Sequence, residues 1–340
     1  MKAVFHHNQL AHFPTRYLQR GHIVDFPEQP ERAKRLLKGV RAAGCGMHAA
    51  RAHGDAHILS VHTGRYLKFL ANAYRRWNRP KGKAFEEVMA SIRPVEKPAR
   101  YPTDILGQAG WHQQDFSCPI TEQTWMSIRA SADTALSAAE LIIEGEKSAY
   151  ALCRPPGHHA YADRAGGFCY LNNTAIAAQF MRKQWDQVAI LDIDVHHGNG
   201  TQGIFYDRSD VLTVSIHADP RKYYPFYYGY ESQRGKGPGN GYNINIPVPV
   251  KSDDEVWMGA LELALSEISD AAPGALVVAL GLDAHEADPL NGGAVTTAGF
   301  ARMASAIAKL SLPTLIVQEG GYLTDDLENN LASFLKGFGG

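Results

Sequence analysis

Cysteine is scarce in this chain: four in 340 residues (Cys45, Cys118, Cys153, Cys169), and no two form a C-x-x-C pair. That spacing argues against a disulfide framework and a zinc ribbon, and it fits a reducing cytoplasm. An excess of either charge is missing too. Thirty-four Lys and Arg face 35 Asp and Glu, for a formal net charge of −1, which is not the basic footprint of a nucleic-acid binder. No apolar run approaches the ~20 residues that a membrane span requires. The opening MKAVFHHNQLAHF has polar residues where a signal peptide carries its apolar segment. Linkers, repeats and low-complexity blocks are also missing, so residues 1–340 read as one domain.

What is present is a set of short, nearly continuous apolar runs: 148–153, 187–193, 210–216, 274–282 and 313–319. Helical patterns at 124–143, 172–184, 253–270 and 297–310 alternate with them. Asn172 or Asn173 caps the second helix, and Ser252 is expected to cap the third. Buried strands alternating with amphipathic helices predict an α/β fold, a central parallel sheet flanked by helices on both faces. Chemistry follows four of the five strands: RPPGHH after the first, DIDVHHGNG after the second, DAHEADP after the fourth and EGGY after the fifth. Ligands of such sheets bind beyond the carboxyl ends of the strands, so these motifs converge on one edge.

Along an extended segment alternate residues face the same way, so Asp192, Asp194 and His196 share one side while His197 points elsewhere, to a packing or supporting role. Strand-end aspartates often only cap turns. With Asp283 and a histidine pair on the same edge, a metal site is the better reading. Two carboxylates and one imidazole leave a position open, as in catalytic centres. The donor mix suits Zn²⁺, and also Fe²⁺ or Mn²⁺. Such a cation activates water and polarises a carbonyl. His158 and His159 then share the base and acid work, with Asp192 behind one and Asn199 behind the other. A carboxylate raises its partner's pKa where an amide does not, so the two imidazoles should be electrostatically unequal. The glycines of EGGY let the backbone turn tightly and aim the Tyr322 hydroxyl at a developing oxyanion.

RPPGHHA, GGFCYLNN, DIDVHHGNGTQ, VSIHAD, GLDAHEADP and QEGGY, in this order and spacing, strongly resemble the histone deacetylase superfamily, and within it the bacterial acetylpolyamine amidohydrolase branch. The likeness includes PERAKRLL, VHTGRYLKFL and YPTDI in the first third. It implies an arginase/deacetylase fold and zinc-dependent removal of acetyl groups from amines. Asp194, His196 and Asp283 would be the metal ligands, His159 the main general acid/base beside His158, and Tyr322 the oxyanion donor. Asp192 matches the carboxylate behind the first histidine, and Asn199 falls where the family has Asp or Asn. Phe168 and Tyr224 would wall an aromatic tunnel, and the Gly167 backbone would receive the substrate amide N–H. A structural potassium ion would sit at Asp192, Asp194, His196, Ser215 and Ile216.

The stretch 79–121 reads as an insertion that narrows the entrance or packs against a second copy in a homodimer. Its acidic residues Glu86, Glu87, Asp104 and Asp115 are candidates for meeting a cationic substrate. Leu106, Ser117 and Leu290 stand where polyamine-selective relatives would carry glutamates. The expected substrates are therefore short acetylated diamines, acetylputrescine and acetylcadaverine, and acetyllysine too. The alternatives are a protein acetyllysine deacetylase, a binuclear manganese ureohydrolase, and a non-catalytic acetyl-amine binder. The manganese reading needs extra bridging carboxylates, yet the chain has Gly198 two residues after His196 and His285 two after Asp283. The intact histidines and Tyr322 argue against a mere binder.

Overall fold

In chain order the strands are β1 (Lys2–Phe5), β2 (Arg16–Gln19), β3 (His22–Asp25), β4 (Gly46–Ala49), β5 (Ser148–Ala151), β6 (Val188–Asp192), β7 (Val211–Ala218), β8 (Asn243–Val248), β9 (Ala275–Leu280) and β10 (Thr314–Gln318). The helices are α1 (Pro30–Ala42), α2 (Asp55–Leu59), α3 (Gly64–Trp77), α4 (Ile105–His112), α5 (Thr124–Ile143), α6 (Asn173–Met181), α7 (Asn199–Phe205), α8 (Asp254–Ala271), α9 (Thr297–Ala308) and α10 (Leu327–Gly339). They come from a computed structural model that describes residues 1–77, 87–95 and 99–339.

Eight strands form one sheet in the order β4-β1-β5-β10-β9-β6-β7-β8, and every pairing in it is parallel. Successive side chains of a strand point to opposite faces, and both faces are dry. Ile190, Val277 and Leu315 pack on one side with Ile128 of α5 and Ile176 of α6. Leu191, Val278 and Ile316 pack on the other with Leu36 of α1, Trp257 of α8, Phe300 of α9 and Leu331 of α10. Burial on both faces explains why these strands read as continuous apolar runs rather than alternating ones.

The strand order fixes the site. β5, β10, β9 and β6 are consecutive neighbours, and they carry the His pair, EGGY, DAHEADP and DIDVHHGNG respectively. Parallel pairing puts all four carboxyl ends on one edge.

Several local expectations change. Asp253, not Ser252, caps α8: its side chain accepts from Val256 N, while the Ser252 hydroxyl donates to Pro249 O. An aspartate cap also adds negative charge at the helix dipole's positive end. β7 runs on to Ala218, and α6 stops at Met181. The 79–121 stretch holds α4 and an antiparallel bridge between Val88 and Ile120; its residues 79–86, including Glu86, and 96–98 lie outside the described residues.

Candidate active site

β6 ends at Asp192, and the chain beyond it bends through Asp194–His196, presenting both side chains at the sheet edge. Asp283 arrives from the end of β9. Ligand atoms of Asp194, His196 and Asp283 lie within 4.8 Å of one another, and all three residues are buried. His196 Nδ1 sits 3.0 Å from Asp194 Oδ1 and 3.1 Å from Asp283 Oδ2. Burial alone would depress the His196 imidazole, but these carboxylates push it up to about 9. Two carboxylates desolvated together concentrate positive charge.

The glycine turn after β10 fits the same reading. A Cβ on Gly320 would lie 2.1 Å from Asp283 Oδ2 and 2.5 Å from Asp194 Oδ2; Gly320 N donates instead to Asp194 Oδ2 at 2.8 Å. Gly321 follows at φ 109°, a conformation open to glycine. The donor set and this cradle accommodate a divalent cation. A second cluster, His158, Cys169 and Glu319, also brings ligand atoms together, but Glu319 is spent on structure. It accepts Gly157 N, His158 N and the Thr174 hydroxyl, which moors the RPPGHH turn.

The histidine pair faces the ligand trio with its rings 4.0 Å apart. His158 Nδ1 lies 2.9 Å from Asp192 Oδ2, and His159 Nδ1 lies 2.7 Å from Asn199 Oδ1. The two rings differ sharply in charge. Burial would lower His158, yet Asp192 and Asp194 raise it to about 10. Burial and the neighbouring His158 and His196 hold His159 well below its usual value. Asn199 Oδ1 accepts a hydrogen bond from Nδ1–H, leaving His159 Nε2 free to act as a base. His197 turns away to pack on His217 with centroids 4.6 Å apart. His285, on the DAHEADP loop, stacks on Phe300 of α9 rather than joining the trio.

Tyr322 is buried in an aromatic cluster with Tyr17, Phe26 and Phe168. Its N–H donates to Asp288 Oδ2 at 2.8 Å, and the Arg32 guanidinium lies 4.8 Å from its ring centroid. Arg32 also donates to the carbonyls of Gly321 and Glu319, so α1 grips the turn from below. Asp288, Arg32, Tyr17 and Tyr223 were not singled out by sequence reasoning. The acidic end of DAHEADP was a signal for Asp288. For Tyr17 it was the Arg-Gly turn of the β2–β3 hairpin, where Arg20 and Gly21 both take positive φ. Tyr223 stacks on the His196 ring at 5.1 Å, and the one signal near it was the adjacent Tyr224.

Above the trio opens a cavity of about 310 Å³ walled by Phe168, Gly167, Tyr224 and Leu290, among others. Asp115 joins the wall, but Asp104 does not. Asp104 is corrected to an N-cap, its carboxylate accepting Leu106 N at the start of α4, because an aspartate before a short apolar helix is used up by the helix's free N–H groups. Glu87 is likewise engaged locally, with Thr15 N and Oγ1. At the other end of the site, Ser215 pairs with Asp192 across β6 and β7, its hydroxyl 2.8 Å from His217 Nδ1. Ile216 lies in the core.

Comparison with known proteins agrees with this geometry. The chain matches the histone deacetylase domain over residues 26–338. It is 46% identical, over 100% of its length and 99% of the relative's, to an acetylpolyamine amidohydrolase of Burkholderia pseudomallei. It is 41% identical, over 100% of its length and 99% of the relative's, to acetylpolyamine amidohydrolase 1 of Pseudomonas aeruginosa. The crystal structure of the Burkholderia pseudomallei acetylpolyamine aminohydrolase superposes with a TM-score of 0.97, covering 100% of this chain and 98% of that one. From strand order to histidine pair and from sequence to superposition, the protein is a hydrolase of acetyl amides that belongs to the histone deacetylase superfamily.

Proposed function

We propose that this protein deacetylates small, linear N-acetylated amines, with acetylputrescine and acetylcadaverine as representative substrates and zinc as the metal. The observation that carries the reading is the Asp194–His196–Asp283 trio lying under the His158–His159 pair at the floor of an aromatic tunnel. The names of the relatives point to acetylated polyamines. Asp194, His196 and Asp283 would hold the cation, which when bound supplies water activation and carbonyl polarisation.

The chain's own residues do the rest. His159 Nε2 takes a proton from the attacking water and returns one to the departing amine nitrogen, so that the C–N bond breaks to give acetate and amine. The Asn199 contact keeps its other nitrogen protonated and its ring orientation fixed. His158, tied to Asp192, supplies positive charge beside the reacting centre. The Tyr322 hydroxyl donates to the developing oxyanion. Phe168 and Tyr224 exclude water and admit an alkyl chain, with the Gly167 carbonyl as acceptor for the substrate N–H. Leu290, where a glutamate would read a polyamine's charge, leaves the wall apolar. A potassium ion at Asp192, Asp194, His196, Ser215 and Ile216 is part of the proposal, supported by the β6–β7 register, as is a cytoplasmic setting, supported by four free cysteines.

Acetate release from acetylcadaverine and from an acetyllysine peptide tests the reading, after chelation and reconstitution with Zn²⁺. A higher kcat/KM on the diamine is expected. Preference for the peptide would make this a protein deacetylase, and urea release from arginine or agmatine would replace the reading altogether.

A further inference from the structure

Among the described residues, Asp115 is the one carboxylate of the upper tunnel wall; the other two that line the cavity, Asp194 and Asp283, lie at its floor. It is the obvious receptor for a substrate's far ammonium, but both its oxygens already accept hydrogen bonds from the protein. Oδ1 accepts Ser117 N at 2.9 Å. Oδ2 accepts Gly167 N at 3.0 Å and the Tyr224 hydroxyl at 2.6 Å. Gly167 lies between β5 and α6 and Tyr224 between β7 and β8, and both line the cavity. Each also abuts His159: the Tyr224 ring meets it edge-on at 5.0 Å, and a Cβ on Gly167 would be 2.3 Å from its Cδ2. Gly167 and Phe168 take φ of 53° and 68° in succession, a turn that needs outside support because a phenylalanine rarely adopts positive φ. The neighbouring Gln114 donates to His159 O at 3.0 Å, so the segment holding Asp115 is laced to the histidine as well.

We infer that Asp115 is a positioning residue, a clamp that ties the Gly167–Phe168 turn to Tyr224 and sets the tunnel bore around His159, so that substrates are selected by slenderness and not by a charge at the far end. The proposal rests on the deacetylase reading and deepens it. The rim charges agree with it. Arg20 and Lys222 line the mouth and are exposed, and neither forms an ion pair among the described residues. A neutral or anionic far end is therefore at no disadvantage to an ammonium.

Three acetamides with the same five-methylene chain test this on the zinc-loaded enzyme: N-acetylcadaverine, N-hexylacetamide and acetamidohexanoate. The wild type should hydrolyse all three, the carboxylate at least as well as the ammonium. Asp115→Asn places an amide donor against a backbone N–H in either orientation. It should lower kcat/KM on all three by one common factor of roughly ten- to a hundredfold, chiefly in kcat, with zinc content and melting temperature retained. Tyr224→Phe should add little to the Asp115→Asn loss, because both cut the same link. A loss confined to N-acetylcadaverine would make Asp115 an ammonium receptor and overturn the clamp, as would simple additivity of the two substitutions. If no acetamide released acetate, the deacetylase reading would fall, and a crystal structure of Asp115→Asn would still decide the clamp: an undisplaced Gly167–Phe168 turn refutes it.

Discussion

The two adjacent histidines take their character from their surroundings. His158 and His159 are chemically identical residues, adjacent in sequence, and diverge because Asp192 and Asp194 raise the first against burial while burial and the neighbouring imidazoles lower the second. Asp192→Asn should therefore lower kcat with little change in KM, measured on acetylcadaverine, since it removes the charge that keeps His158 cationic. Tyr322→Phe should keep its zinc, measured by metal analysis, while kcat falls roughly 10²- to 10³-fold, the usual loss when one oxyanion donor goes. Near-normal turnover would remove Tyr322 from the chemistry. This level was legible in the sequence wherever residues cluster in a motif. It was illegible where a residue works through its backbone: nothing in DAHEADP says that Asp288 will accept the Tyr322 amide, and nothing around Asp115 says that its charge is already engaged.

Among elements, the loop after β10 is the most constrained. Gly320→Ala would drive a methyl group between two carboxylates, and zinc affinity should drop roughly ten- to a hundredfold by chelator competition. Arg32 of α1 pairs with buried Glu28 at 2.7 Å and holds the same loop. Arg32→Leu should cost about 3 kcal/mol in denaturant unfolding, since it strips one partner from a buried ionic network, and should reduce turnover besides. The five strands bearing the motifs were visible because burial on both faces makes them apolar throughout. β4 has all four residues exposed and offers no apolar run, and β8 mixes asparagine with isoleucine at the sheet's other edge. Edge strands lack the signal that central strands carry. The hairpin of β2 and β3 escaped for a different reason: it lies outside the sheet and is recognised only by its turn.

For the molecule as a whole, buried neutral histidines set an acid limit. His62 is buried, accepts Asn172 N at 2.9 Å, and is lowered to about 4 by burial. The unfolded chain takes up a proton near pH 6.5 that the folded site refuses until about 4, so stability falls as pH drops through that window and levels off below it. The contribution is of order 3 kcal/mol at full span. His62→Gln keeps an acceptor for Asn172 and should shrink the difference in unfolding midpoint between pH 7 and pH 5; an unchanged difference would place the acid sensitivity elsewhere.

The sheet is also assembled out of sequence. β10, latest in chain order among the described strands, is inserted between β5 and β9 at the middle, and the turn that follows it closes around Asp194 and Asp283. A chain emerging from the ribosome thus carries its histidines and aspartates long before they can meet. Nascent chains halted before Gln318 should neither capture zinc nor cleave amides, and hydrolytic competence should appear only in chains long enough for β10 and the Gly320–Tyr322 turn to join the sheet.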